Sequence, residues 1–339
     1  MNILITGAGG GIGQGVIKSL RMIKDINIKV VASDMSEFAA GLYAADVSYL
    51  VDKYDSNKYL ENLSYIFTKE AIDFYIPGTD VELKFCARNK QSILDDYGVH
   101  TVISSEEVID ISHDKFKTAL FLKENGFNYP ETSYLKDIDV QKIIYPIILK
   151  PSNGHGSIGV YKINNFSELK SHFKNTNDLI LQEYIGNNDS EYTCTVVKVN
   201  GILSPVLALK RVLRYGDTYR AEPEKSEKIE QYVLNVAKKL DIDGGCNFQL
   251  RIDENGDPKI FEINSRFSGT TPFCAQIGFN PVEFYLKESL GFKSVIDIDF
   301  NMILLRYWSE AVVSKSSLKK LSDHGNIKPL IAQHFKLFK

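Results

Sequence analysis

The sequence predicts two architectures in one chain: a doubly wound parallel α/β domain first, then an α+β region built mainly on antiparallel sheet. Three observations carry this. Across residues 2 to 110, short apolar β-type runs alternate with amphipathic stretches, which is the pattern of parallel strands joined by crossover helices. Beyond about residue 111, Asn200-Gly201 and Asn255-Gly256 each sit between two β-type runs. Such pairs accept the left-handed backbone of a tight antiparallel hairpin. The length of 339 residues leaves room for two or more domains.

In the first region the β-type runs are Asn2 to Thr6, Ile28 to Ser33, Val47 to Val51 and Ile72 to Pro77. Helices are expected from about Gly11 and near Lys58 to Lys69. Ser104 followed by Glu107 reads as a capping box, and Ser112 as the cap of a second helix that stops at Asn125-Gly126. A domain boundary falls between these two helices. In the second region, one helix over roughly Lys225 to Leu240 separates the two hairpins.

Apolar residues make up 44% of the chain and charged residues 24%, so it is expected to fold throughout. Forty basic against 43 acidic residues give a net charge of −3, which argues against a nucleic-acid or acidic-membrane partner and leaves small molecules as the default ligands. The four cysteines, Cys86, Cys194, Cys246 and Cys274, form no CxxC pair, so neither a zinc site nor a disulfide framework is expected. No apolar run approaches the length of a membrane span and the N-terminus lacks a secretory pattern, so the expected location is the cytoplasm.

The glycines Gly7, Gly9, Gly10, Gly11, Gly13 and Gly15 follow a strand and open a helix, and Asp34 closes the next strand. This combination suits the phosphates and ribose of a dinucleotide, although the glycine spacing is not GxGxxG and such turns also serve close helix packing. NAD(P) binding therefore stays open at this point. Tyr145 to Pro151 is an apolar strand that delivers Lys150 into a loop containing Gly154, Gly156, Ser157 and Gly159. Small residues with free N–H groups beside a fixed ammonium suit polyphosphate. Their composition makes residues 152 to 159 a candidate mobile lid.

Leu179 to Ile185 reads as a buried strand, with Glu191 eight residues after Glu183. A strand edge can read adenine through its backbone, and a nearby carboxylate can accept from ribose hydroxyls. Glu262 and Asn264 are two apart and share one strand face, opposite Gln249 on the hairpin partner. Such an all-oxygen set suits Mg²⁺ or Mn²⁺ held jointly with phosphates. Arg266, two further on, can steady an anion or developing charge.

The ordered series resembles the ATP-grasp superfamily, in the arrangement of carbamoyl-phosphate synthase large subunits and other carboxylate-amine ligases. The resemblance covers nearly the whole chain and implies a Rossmann-like α/β pre-ATP-grasp domain followed by an α+β two-lobed ATP-grasp fold. The implied divisions are residues 1–110 for the pre-ATP-grasp domain, 111–185 for the small lobe, 186–300 for the lobe with the metal site, and 301–339 for a basic C-terminal extension. It implies that Lys115 and Lys150 meet ATP phosphates, with Gly154, Gly156 and Ser157 in the phosphate loop. Glu183, Tyr184 and Ile185 match the adenine hinge and Glu191 the ribose acid. Gln249, Glu262 and Asn264 match the metal ligands, and Arg266, with Lys150, the catalytic positions. Residues 76 to 82 look like a substrate-side loop of the pre-grasp domain.

The implied activity is an ADP-forming ligase that makes an acyl phosphate from a carboxylate and passes it to an amine. ATP and Mg²⁺ (or Mn²⁺) are the implied cofactors, and a small-molecule carboxylate and amine are the partners, with a homodimer left open. Full carbamoyl-phosphate synthase subunits are tandem duplications, and this chain has one copy. Two rival readings remain: an NAD(P)-dependent oxidoreductase using the glycine turn, and a catalytically silent nucleotide-binding subunit.

Overall fold

The computed structural model describes residues 1–154, 156–173, 178–307 and 309–328. The chain starts with β1 (Asn2–Ile5), α1 (Gly11–Met22), β2 (Lys29–Asp34), β3 (Val47–Leu50), α2 (Tyr59–Glu70), β4 (Phe74–Ile76), α3 (Leu83–Tyr97) and β5 (His100–Thr101). Strands β1 to β5 pair in parallel in the order β3-β2-β1-β4-β5. Both faces of this sheet are covered, which is why its strands read as continuous apolar runs. Ile3, Ile5 and Val30 face one core with Val16 and Leu42, while Leu4, Val31 and Tyr75 face the other with Leu63 and Phe67.

The crossing from β1 into α1 leaves no room for a side chain at Gly7 or Gly13. A Cβ on Gly13 would lie 2.4 Å from the Gly7 oxygen, and one on Gly78 would lie 2.1 Å from the Thr6 oxygen. These glycines serve close packing of backbone on backbone.

Two helices lead into the second half: α4 (Glu106–His113) and α5 (Lys115–Glu124). Their caps differ from those expected. Ser105, not Ser104, caps α4 by accepting from Val108 N, while the Ser104 hydroxyl bonds the backbone of Asp243 in both directions, at 2.8 and 2.9 Å. Asp114, not Ser112, caps α5 by accepting from Phe116 and Lys117 N–H. Ser112 lies inside α4, where its hydroxyl donates to Val108 O. In each case the distant chain or a carboxylate claims the position that local spacing gave to a hydroxyl.

The small lobe is a four-stranded antiparallel sheet of β6 (Thr132–Tyr134), β7 (Ile147–Pro151), β8 (Tyr161–Ile163) and β9 (Leu179–Glu183), in the order β6-β9-β7-β8, with α6 (Phe166–Lys170) beside it. The large lobe contains β10 (Glu191–Val199), β11 (Ile202–Leu203), β12 (Leu207–Arg214), β13 (Asp217–Pro223), α7 (Glu227–Leu240), β14 (Gly244–Ile252) and β15 (Pro258–Asn264). The two expected hairpins are present. Asn200 and Gly201 both take positive φ, 51° and 79°, between β10 and β11, and Gly256 takes 78° between β14 and β15.

The chain then forms α8 (Thr271–Gln276), α9 (Pro281–Ser289), β16 (Leu304–Leu305), α10 (Lys315–His324) and β17 (Asn326–Ile327). Strand β16 joins the edge of the large-lobe sheet, whose order is β15-β14-β10-β12-β13-β16, while β17 pairs antiparallel with β3 of the first sheet. Helix α9 buries Val282, Phe284 and Leu286 in the core that also holds Ile5, Val16 and Leu209, so the first domain and the large lobe share one apolar interior. Lys336 and Lys339 of the basic extension lie outside the described residues. Among the described residues no helix is long and apolar enough to cross a membrane.

Candidate active site

The site is built where the two antiparallel sheets face each other. A cleft of about 960 Å³, including its open mouth, is lined from the small lobe by Lys150, Gly154, Gly156, Ser157, Glu183 and Ile185. From the large lobe it is lined by Glu191, Arg211, Gln249 and Glu262, and Lys115 reaches in from α5. A second, narrow cavity shares Lys115, Gly154 and Glu262 with the first and adds Asp80, His113, Asn264 and Ser265. The two therefore meet at Glu262 on β15.

Lys150 is the least ordinary group. Strand β7 places it inside the lobe with 4% of its surface exposed. Its Nζ donates to Gln182 Oε1 at 2.7 Å and lies 5.4 Å from the centre of the Phe261 ring. Burial pulls the ammonium down to about 7, and Glu262 opposes that fall while Lys115 reinforces it. An anion in the cleft would restore its charge.

Lys115 opens α5 and ties it to the phosphate loop. Its Nζ donates to Gly154 O at 2.8 Å and its N–H to Ser152 O at 2.9 Å. The Ser152 hydroxyl bonds the capping Asp114. Gly156, Ser157 and Gly159 take φ of 64°, 58° and 74°, so the loop folds back on itself through left-handed backbone. Across the mouth, Gly216 in the β12–β13 turn touches this loop, and a Cβ there would lie 2.5 Å from Gly156 O. His155 lies outside the described residues.

The hinge residues divide. Glu183 and Ile185 line the cleft, whereas the Tyr184 ring faces Lys162 at 3.9 Å and Arg251 at 5.5 Å. Glu183 spends its carboxylate on Lys259, at 2.9 and 3.1 Å. Glu191 is held between two arginines: Oε1 accepts from Arg211 Nη2 at 2.8 Å and Oε2 from Arg251 Nη2 at 2.7 Å. Burial pushes its carboxyl up, but the two guanidinium groups outweigh this and hold it below the ordinary carboxylate range. A ribose hydroxyl at Glu191 would share these oxygens.

The expected metal ligands converge. Gln249 and Glu262 are direct cross-strand partners, and Asn264 Nδ2 donates to Glu262 Oε1 at 3.1 Å, which leaves the Asn264 oxygen on the Arg266 side. Gln249 Oε1 also accepts from Arg211 Nη2 at 2.8 Å. Arg266 is fixed bidentately by Asp80, at 2.8 and 3.1 Å, and donates to Asn264 Oδ1 at 3.1 Å. The loop of residues 76 to 82 thus reaches the reaction side of the cleft. Arg251 and Gln182 also line the cleft and were not assigned by spacing; each is brought in by strand register.

In the glycine turn after β1, held open above for a dinucleotide, the Asp34 carboxylate is bonded within the chain. Asp34 Oδ2 accepts from Gly9 N at 2.8 Å, and its other oxygen accepts from Ser36 N at 3.1 Å.

Fold and cleft define an ATP-grasp protein. A family model for an ATP-grasp domain matches residues 112–270, and one for a PylC-like N-terminal domain matches residues 3–102. The chain thus carries an ATP-grasp domain preceded by a PylC-like N-terminal domain. It is 27% identical over 251 residues to a carbamoyl phosphate synthase large chain of Thermoanaerobacter sp. (strain X514), which covers 67% of this chain and 23% of that one. It is 28% identical over 262 residues to the D-alanine–D-alanine ligase of Fervidobacterium nodosum, covering 65% and 79%. Among solved structures, N5-carboxyaminoimidazole synthetase from Staphylococcus aureus complexed with ADP superposes with a TM-score of 0.70 at 20% identity, over 89% of this chain and 80% of that one. The chain spans under a third of the length of the carbamoyl phosphate synthase large chains it matches.

Proposed function

We propose that the protein is an ADP-forming ligase that activates a small carboxylate as an acyl phosphate and joins it to an amine. The observation that carries this is a pair of adjoining cavities that share Lys115, Gly154 and Glu262, with Lys150 lining the one and Asn264 the other, and with Arg266 bonded to Asn264. The residues fit ATP with a hard divalent cation. Buried ammonium groups beside a glycine loop suit phosphates, and a carboxylate flanked by the side-chain amides of Gln249 and Asn264 suits Mg²⁺ or Mn²⁺. The metal supplies charge neutralisation on phosphate oxygens when bound.

In the first step a substrate carboxylate oxygen bonds to the γ-phosphorus and the bond to ADP breaks. In the second, the amine nitrogen bonds to the acyl carbon, the carbon–oxygen bond to phosphate breaks, and the amine proton leaves with phosphate or solvent. Lys150 and Lys115 hold phosphate oxygens in line, and Arg266, immobilised by Asp80, steadies the charge on the transferring group. Closure of the loop of residues 152 to 159 keeps water from the acyl phosphate.

The test is calorimetry followed by an ADP-release assay against panels of carboxylates and amines. Binding of Mg-ADP and Mg-ATP, no binding of NAD(P), and ADP release that requires both a carboxylate and an amine are expected. Tight NAD(P) binding without ADP binding would reverse the assignment. The loop gives a further expected result: amide hydrogen exchange in residues 152 to 159 should slow when Mg-ADP binds, since phosphates are its natural ordering partner. Equal, strong protection with and without nucleotide would make it a plain structural turn.

A further inference from the structure

Glu262 stands between two amides, Gln249 lining the first cavity with it and Asn264 the second. The carboxylate therefore offers two positions for a divalent cation, one on either side. Each amide oxygen already accepts from an arginine: Gln249 Oε1 from Arg211 Nη2 at 2.8 Å, and Asn264 Oδ1 from Arg266 Nη2 at 3.1 Å. An amide oxygen has two lone pairs, so one hydrogen bond does not by itself exclude a metal from either. Charge separates the two sides.

On the Asn264 side the arginine is neutralised, because Asp80 holds Arg266 through both carboxylate oxygens. The Gln249 side is different. Arg211, buried on β12, reaches across β10 to Gln249 on β14, and its Nε and Nη2 donate to Glu191 Oε1 at 3.1 and 2.8 Å. The other oxygen of Glu191 is taken by Arg251, at 2.7 Å. One carboxylate thus faces two guanidinium groups, and the cluster keeps one positive charge. A divalent ion on Gln249 Oε1 would sit against that charge inside a partly closed cleft, where repulsion between cations is far stronger than in water. Arg211 is also held by three hydrogen bonds within the chain, so it is a fixed cation and not a tethered, mobile one.

We propose that the site takes one divalent cation, between Glu262 and Asn264, and that Arg211 supplies the charge a second ion would bring to Gln249. Gln249 is then the anchor of Arg211 and not a metal ligand, so the three-residue metal set expected from the sequence reduces to two. The inference rests on the ligase reading, which supplies the nucleotide and its metal.

The full-length protein is dialysed to equilibrium against Mn²⁺ and the non-hydrolysable β,γ-imido analogue of ATP, and the manganese and nucleotide retained with it are counted. One manganese per nucleotide is expected, up to millimolar free Mn²⁺. Gln249→Leu should keep that ratio and retain the complex within about threefold of the wild-type affinity, whereas Glu262→Gln should weaken retention by about tenfold or more. Arg211→Met should admit a second manganese at millimolar Mn²⁺, and Arg211→Lys, which keeps the charge, should stay at one. Melting temperatures control for folding; if Arg211→Met does not fold, the wild-type count and Gln249→Leu decide. Two manganese ions per nucleotide in the wild-type protein overturn the inference, as does a tenfold loss in Gln249→Leu or a ratio of one in folded Arg211→Met. A wild-type protein that retains no nucleotide removes the ligase reading itself, and this inference with it.

Discussion

Glu262→Gln is expected to lower ATP turnover by about a hundredfold or more at limiting Mg²⁺ while the fold stays intact. The expectation follows from where the residue sits. Glu262 lines both cavities and is the carboxylate among the three expected metal ligands, so the exchange removes the charge of the set without removing volume. It points off β15 into the cleft and opens no core. The measurement is ADP release as a function of Mg²⁺ concentration, with the melting temperature as the control for folding. A wild-type rate at low Mg²⁺ would refute the assignment of this strand to the metal.

Lys150→Met should abolish nucleotide binding without destabilising the protein, and the reason lies in the proton. In the free protein burial pulls Lys150 down to about 7 from an ordinary value of 10.5. Between pH 7 and 10.5 the unfolded chain therefore binds more protons at this site than the folded chain, so the site's contribution to stability rises with pH across that window and is poorest below it. Replacing the ammonium with methionine removes that burden at neutral and acid pH, at the cost of one hydrogen bond to Gln182. Phosphates raise the lysine's pKa on binding, so wild-type nucleotide binding should take up a proton above pH 7 and weaken as pH climbs. Calorimetry in buffers of different ionisation enthalpy reads this directly. Proton uptake that persists in Lys150→Met would show that another group is responsible.

The parts of the site that were legible in the sequence are those set by local period. Glu262 and Asn264 share a face because strands alternate, and Lys150 enters the cleft because an apolar strand delivers it to a glycine loop. What spacing could not show is set by register between strands far apart in sequence. Glu191 sits opposite Arg251 on β14, and Tyr192 pairs with Lys210 on β12, which places Arg211 beside the same carboxylate. A lone acid in the sequence thus becomes the centre of a buried cation-anion-cation row. Helix α3 escaped the sequence reading for a related reason: only Leu83, Cys86 and Ile93 are buried along it, too narrow an apolar stripe to announce a helix. The cap of α4 falls on Ser105 because Ser104 is claimed by Asp243, a partner no local rule can see, and that of α5 on Asp114 because Ser112 is still inside α4.

The pairing of β17 with β3 has a consequence for how the protein is made. Asn326 lies against Tyr49 and Ile327 against Ser48, so the first sheet gains its outer strand from almost the last described stretch of the chain. A ribosome delivers β1 to β5 early, and the domain they form can collapse long before residue 326 emerges. Throughout that interval the β3 edge presents unpaired backbone N–H and C=O groups to any other strand nearby. The nascent first domain is therefore open to strand exchange for most of its synthesis, and only the arrival of β17 closes the edge.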